Sequence, residues 1–125
     1  MEFQKDNTFV TGRLKSIGFA VKGAIKLITT EHSVMVQSSI GVLLIGAGFY
    51  FHITTTEWLF QILAIGMVLS VEGLNTAVEK IADFIHPNYH EKIGFIKDIA
   101  AGAVFFAAMT AIAIGFIIYV PKFLH

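Results

Sequence analysis

Cysteine is absent from this 125-residue chain, and charged residues are scarce. Without a thiol there is no disulfide framework, no thiolate zinc site and no cysteine nucleophile. Asp, Glu, Lys and Arg together make up 14% of the residues, whereas an average soluble domain has about 25%. The chain has no acidic or basic tract, and its formal net charge is zero. This composition excludes a disordered chain and a basic nucleic-acid-binding module.

Apolar residues dominate instead. They account for 55% of the chain, and the mean hydropathy is +0.72. Three stretches lack Asp, Glu, Lys and Arg: residues 32–56, 58–71 and 99–121. A bilayer core requires about 20 mostly apolar residues per helix. The first and third stretches are long enough alone, whereas the middle one must continue into the polar residues that follow it.

We therefore predict an all-α integral membrane protein with a single domain over residues 1–125. The predicted transmembrane helices cover about residues 33–51, 57–80 and 98–120. Residues 11–28 are predicted to form an amphipathic helix, because apolar residues recur there at helical spacing opposite three lysines. Such a helix could lie in the headgroup plane or pack on the bundle, and the sequence leaves both open.

The distribution of Lys and Arg predicts the orientation. Five precede the first span, three separate the second and third, one follows the third, and the 52–56 turn has none: Lys5, Arg13, Lys15, Lys22 and Lys26, then Lys80, Lys92 and Lys97, then Lys122. The positive-inside rule places the N-terminus and the 81–97 segment in the cytoplasm. We expect no cleaved signal peptide, because the first apolar run starts late and is too long.

The turn before the second span carries a helix-start signal. Thr54 followed by Glu57 matches the capping box, and Trp58 lies where an interfacial aromatic residue is expected. Capping is a sufficient structural role for Glu57, so we assign it no catalytic role.

Polar residues line one face of the second predicted span. They fall within a sector of roughly 100° on a helical projection: Glu72, Asn75, Thr76, Glu79 and Asp83. An ionised carboxylate in hydrocarbon is costly, so this face should line the bundle interior or a wet cavity. Glu31, Lys97 and Asp98 are predicted to lie at the same depth.

Several explanations compete for this acidic stripe. Polar groups could cross-link the helices, with Lys80 or Lys97 as counter-ions, but fewer than five would fix the register of one helix. An ion or proton pathway would also use inward acids, yet the other spans place no acid at mid-depth. A divalent metal site is the third explanation.

The third explanation leads to phosphoryl transfer. Mg²⁺ is typically held by one or two carboxylates and substrate phosphates, and Glu31, Glu79 and Asp83 offer carboxylates at the membrane surface. Lys97 offers a cation for phosphate. Glu72 lies two turns from Glu79, about 10 Å along the helix axis, and is a candidate general base for a lipid hydroxyl.

Other motifs are weak. His86 and His90 are four residues apart, but the intervening Pro87 predicts a turn, not a two-histidine helix face. No Walker glycine–lysine loop and no G-x-G-x-x-G motif is present, so a nucleotide would have to be bound by other means.

The polar motif resembles the prokaryotic diacylglycerol kinase family, which includes the undecaprenol kinases. The resemblance rests on EGLNTAVEKIAD (72–83), Tyr89-His90 and KDIAAGAV (97–104). Upstream, Lys22-Gly23 and Glu31 stand where the family has a surface-helix lysine–glycine pair and a metal-binding glutamate. The match covers nearly the whole chain, with the same order of three spans.

The resemblance implies a homotrimer in the bacterial cytoplasmic membrane, with active sites shared between neighbours, that uses MgATP to phosphorylate a lipid alcohol. It implies metal binding by Glu31 and Glu79, and catalysis by Glu72 as the base and Asn75 as an ordering group. The implied nucleotide-site residues are Lys97 at the phosphates, Asp98 in support, His90 and Gly94 near the base, and Asp83 as a lining acid.

Two positions depart from the family pattern. Gly73 stands where a larger apolar residue is usual, and Gln37 replaces an acid found near the nucleotide in some members. The sequence does not choose between diacylglycerol and undecaprenol. The alternative function is a non-enzymatic oligomeric scaffold or an ion-conducting subunit.

Overall fold

The computed structural model describes residues 8–124, and these residues form four helices. The helices are α1 (Phe9–Thr30), α2 (His32–Tyr50), α3 (Thr55–Ile85) and α4 (Glu91–Phe123). By length and composition, α2, α3 and α4 can each cross a membrane, which confirms the three predicted spans. Lys5, part of the basic set used for orientation, lies outside the described residues.

Two helices are longer than their predicted spans. The α3 helix ends at Ile85 instead of residue 80, and α4 begins at Glu91 instead of residue 98. An apolar run reports only the length of helix inside hydrocarbon. The helical backbone satisfies its own hydrogen bonds, so it can continue into the polar zone beyond the membrane.

The first helix joins the bundle at its C-terminal end. It begins at Thr8, whose hydroxyl accepts a hydrogen bond from the Thr11 N–H at 3.2 Å, and it stops at the single extended residue Glu31. The Glu31 N–H donates to the Leu27 carbonyl at 3.2 Å. Nearly all apolar side chains of α1 are exposed. Its placement in a headgroup plane stays a prediction.

The turn between α2 and α3 is held by the predicted capping box. The Glu57 N–H donates to the Thr54 hydroxyl at 3.1 Å, and the Thr54 N–H donates to the Glu57 carboxylate at 2.9 Å. Both bonds satisfy donors that a helix start leaves free, and they confirm the prediction. Lys122, near the end of α4, also donates to both Glu57 oxygens, at 3.1 and 3.0 Å.

A buried polar cluster lies near this turn and was not predicted from the sequence. The Gln61 side-chain amide donates to the Leu44 carbonyl at 3.1 Å, and the Tyr119 hydroxyl lies 2.5 Å from the Gln61 side-chain oxygen. Ile53 and Ile118 pack in the same core as Tyr119. The cluster therefore joins α2, α3 and α4 at one level.

Candidate active site

The acidic stripe on α3 becomes progressively more exposed towards the C-terminal end of the helix. Glu72 and Thr76 are buried, each with 7% of its surface exposed, Asn75 is half-buried, and Glu79 and Asp83 are exposed. This gradient matches a helix face that enters the bundle at one end and opens at the other. The predicted face is therefore continuous from a buried carboxylate to an exposed one.

Glu72 is the buried acid of the stripe. Within residues 8–124 its carboxylate makes no hydrogen bond or ion pair, although the side chain is almost fully covered. The fully buried side-chain atoms without a hydrogen-bond partner in these residues are Ser38 Oγ and the Asn75 oxygen, so the Glu72 carboxylate still reaches the surface while most of the residue is covered. Its position is consistent with a group that meets a proton donor from a ligand.

Asn75 and Glu79 form a pair one helical turn apart. The Asn75 side-chain N–H donates to the Glu79 carboxylate at 3.4 Å. The carbonyl oxygen of the Asn75 side chain is buried and has no partner among residues 8–124. One end of the Asn75 amide therefore contacts Glu79, and the other end is an acceptor without a donor in the described residues.

Glu31 is the single extended residue between α1 and α2, and its side chain lies beside α3. Its carboxylate forms an ion pair with Lys80 at 3.2 Å. Three-quarters of the Glu31 side chain is covered, whereas 70% of the Lys80 side chain is exposed. The two proposed metal-binding acids, Glu31 and Glu79, thus come from neighbouring elements at the same end of the bundle.

Asp83 and Lys97 join the end of α3 to the start of α4. Their side chains form an ion pair at 2.6 Å. Asp98, the next residue, is exposed on α4. Asp83 therefore holds the Lys97 ammonium at the edge of the stripe.

The linker between α3 and α4 is a turn, as the proline predicted. The His86 ring N–H donates to the Asn88 carbonyl at 2.6 Å. His90 caps α4 by accepting the Lys92 N–H at 3.1 Å. Gly94 faces the Tyr89 ring: a Cβ atom added to Gly94 would lie 3.3 Å from the nearest ring carbon.

Beside this turn is an open groove of about 230 Å³. Its lining includes Asp83, His86, Tyr89, Gly94 and Lys97. The groove therefore brings together several predicted nucleotide-site residues, with Tyr89 as an aromatic wall. His90 lies beside it, and its ring contacts the His86 ring with centroids 5.4 Å apart.

The arrangement fits Mg²⁺ through the chemistry of its donors. Among residues 8–124, no group of three or more His, Asp or Glu side chains is placed to hold a metal. Mg²⁺ requires fewer protein ligands than that, since one or two carboxylates and substrate phosphates suffice. Glu31 and Glu79 supply that number, and both are hard oxygen donors.

The two positions that depart from the family pattern make contacts that were not predicted. Leu27 on α1 meets Gly73 on α3, where a Cβ would lie 3.0 Å from the Leu27 side chain. Gln37, which departs from the family pattern, lines a cavity of about 70 Å³ between α2, α3 and α4. Neither contact has a local sequence signal, although Gly73 was visible as an unusual small residue.

The sequence also matches known proteins. Residues 18–119 match the sequence model of the prokaryotic diacylglycerol kinase family. An undecaprenol kinase of Bacillus subtilis is 33% identical over 108 residues, which cover 86% of this chain and 88% of that protein. A diacylglycerol kinase of Synechocystis is 31% identical over 112 residues, covering 89% of this chain and 64% of that protein.

The diacylglycerol kinase of Escherichia coli K12 is 28% identical over 108 residues, which cover 86% of this chain and 88% of that protein. The family match runs from α1 to the last turns of α4 and includes the whole acidic stripe. These matches do not favour a non-enzymatic scaffold or an ion-conducting subunit. The chain belongs to the prokaryotic diacylglycerol kinase family.

Proposed function

We propose that this membrane lipid kinase transfers the γ-phosphoryl group of MgATP directly to the primary hydroxyl of a lipid alcohol. Diacylglycerol and undecaprenol are the two candidate alcohols, since relatives are named as kinases of each. The observation that carries the proposal is Glu72, buried and unpaired within residues 8–124, on the helix face that leads to Glu79. On that face the proposed proton acceptor, Glu72, would lie about two helical turns from the proposed metal ligand Glu79.

In the proposed reaction Glu72 accepts the proton of the lipid hydroxyl. The hydroxyl oxygen forms a bond to the γ-phosphorus, the bond from that phosphorus to the β-phosphate bridge oxygen breaks, and ADP leaves. Phosphoryl transfer requires positioning and charge stabilisation more than covalent chemistry. A direct transfer therefore needs no phosphorylated enzyme residue.

The metal and nucleotide roles are distributed over the same end of the bundle. Glu31 and Glu79 would hold Mg²⁺, which neutralises phosphate charge when it is bound. Asn75 keeps Glu79 oriented. Lys97 would contact the phosphates, with Asp83 and Asp98 beside it, and the groove by Gly94 and His90 would take the base.

The proposed assembly is a homotrimer with sites shared between neighbours. One observation supports it: the side-chain oxygen of Asn75 is buried and no group within residues 8–124 donates a hydrogen bond to it. The proposed location is the bacterial cytoplasmic membrane with the N-terminus in the cytoplasm. Three spans place Lys80, Lys92 and Lys97 at the end of the bundle that α1 occupies.

The experiment is lipid phosphorylation by the purified protein. Mixed micelles containing Mg²⁺ and γ-labelled ATP are supplied with diacylglycerol or undecaprenol in parallel. We expect label in at least one lipid phosphate. If folded protein labels neither lipid, the proposed function is wrong.

The Glu79→Gln variant tests the metal assignment. Loss of the carboxylate charge should lower transfer at least about 100-fold, while the oligomer, measured by size-exclusion chromatography, is retained. Glu91→Gln is the matched control, because Glu91 is an exposed acid in the first turn of α4. Equal activity of the two variants would remove Glu79 from the metal site.

A further inference from the structure

The contact between Leu27 and Gly73 is the place where the C-terminal part of α1 rests on α3. A Cβ atom on Gly73 would lie 3.0 Å from one Leu27 methyl carbon and 3.9 Å from the other. These two are the only described heavy atoms within 4 Å of that point, apart from the chain neighbours and local helix backbone of Gly73. The missing side chain of Gly73 is therefore replaced by Leu27.

Leu27 is distinguished from its neighbours by burial. Residues 21–26 and 28–30 are exposed, whereas Leu27 is half-buried. In the last two and a half turns of α1, this side chain alone is partly covered. We call the contact of these two residues the Leu27–Gly73 seat.

The seat lies between two groups of the proposed mechanism. On α3, Gly73 directly follows the buried Glu72. On α1, the Leu27 carbonyl accepts the N–H of Glu31 at 3.2 Å. The chain then turns through the extended Glu31 into α2, so the position of Leu27 determines where the Glu31 backbone lies relative to α3.

The ion pair that also links Glu31 to α3 is weak. The ion pair of Glu31 with Lys80 involves a lysine whose side chain is 70% exposed. Exposed pairs hold geometry poorly because solvent screens them and both side chains lose rotamer freedom. Apolar contact at van der Waals distance is the stiffer constraint.

We infer that Leu27 and Gly73 are positioning residues that set the separation of Glu31 from the carboxylates of α3. This inference rests on the proposed function, since it treats Glu31 as a metal ligand. A residue as large as leucine at position 73 lifts α1 and carries Glu31 away from Glu79. A smaller residue at position 27 removes this contact between α1 and α3.

A graded series at position 73 tests the seat. In Gly73→Ala the added methyl group meets only the flexible end of Leu27, so we expect at most about a threefold loss of kcat. Gly73→Leu cannot be accommodated by that adjustment, and we expect kcat to fall about tenfold or more. Gly18→Leu is the control, because apart from its chain neighbours and the local helix backbone no described atom lies within 4 Å of that Cβ position on α1.

A double variant that exchanges the large and the small side chain of the seat is the decisive test. Leu27→Ala combined with Gly73→Leu returns the volume to the contact from the opposite side. We expect the double variant to recover kcat to within about threefold of the original protein, a coupling that independent sites do not give. A kcat of the double variant equal to or below that of Gly73→Leu alone would overturn the inference.

Binding of Mn²⁺ without nucleotide, followed by the electron paramagnetic resonance of free Mn²⁺, gives a readout apart from turnover. Gly73→Leu should weaken Mn²⁺ binding about tenfold, and the double variant should restore it. Unchanged Mn²⁺ affinity in Gly73→Leu would also overturn the inference. If the original protein binds Mn²⁺ but phosphorylates neither lipid, the proposed function fails while the seat is still measured.

Discussion

The two ends of the helix bundle differ in how completely their polar groups are paired. At the turn end, between α2 and α3, Glu57 forms hydrogen bonds with Thr54 and Lys122. Gln61 forms hydrogen bonds with Tyr119 and with the Leu44 carbonyl. At the acidic end, the Asn75 side-chain oxygen is buried without a partner within residues 8–124, and Glu72, with 7% of its surface exposed, makes no hydrogen bond or ion pair within them. Both ends contain ion pairs, so the difference lies in the groups left without a partner.

The difference indicates where the chain stores stability and where it keeps binding capacity. A buried polar group that is fully paired contributes to one fixed arrangement, whereas one left unpaired costs free energy in the folded state. Such a cost is expected at a site where a ligand supplies the missing partner. Substitutions at the turn end should therefore change stability, and those at the acidic end should change activity.

The largest expected effect is that of Glu72→Gln. If Glu72 is the base, the amide cannot accept the hydroxyl proton, and we expect kcat to fall about 1,000-fold. Because the lost carboxylate has no partner within residues 8–124, thermal unfolding in detergent should occur at the same temperature or higher. A lowered unfolding temperature with retained turnover would give Glu72 a structural role and break the comparison.

A smaller and opposite effect is expected for Tyr119→Phe at the turn end. The change removes the hydroxyl that meets the Gln61 side-chain oxygen and should lower the free energy of unfolding by about 1 kcal/mol. Lipid phosphorylation at a permissive temperature should be unchanged. Chemical unfolding of both proteins in the same micelles measures the first quantity, and a fall in kcat would contradict the separation of the two ends.

The smallest effect is expected for Lys80→Met. Its ion pair with Glu31 is 3.2 Å long, but the lysine is 70% exposed, so the free energy of unfolding should change by less than about 0.5 kcal/mol. Lys122→Met provides the matched comparison, since its ion pair with Glu57 has only 22% and 25% of the side chains exposed. The same unfolding assay should rank Lys122→Met as the more destabilising, and the reverse order would contradict this assignment.

Local signals in the sequence were sufficient for several features. The Thr54–Glu57 capping box is contained within four residues, and both of its hydrogen bonds are present. The turn over residues 86–90 follows from Pro87, which disfavours continuation of the helix. The three spans follow from the lengths of the apolar runs, although those runs underestimate how far α3 and α4 extend.

Contacts between distant residues had no such signal. Gln61 and Tyr119 are 58 residues apart, and each is an isolated polar residue in an apolar run. The Leu27–Gly73 seat joins an apolar residue to a glycine; the glycine was visible as a departure from the family pattern, but its partner was not. Lys122 was interpreted only through its charge, yet it reaches Glu57 across the bundle at 3.0 Å.

The sequence by itself determined the membrane class, the three spans, the family and the set of candidate site residues, because composition, run length and helical period act locally. Tertiary structure decided which of those polar groups are paired, since pairing depends on how α1, α2 and α4 are placed against α3. It put Lys80 beside Glu31 and Lys97 beside Asp83, and it left Glu72 covered without a partner in the described chain. Such placement arises from packing between distant segments, which a linear pattern does not encode.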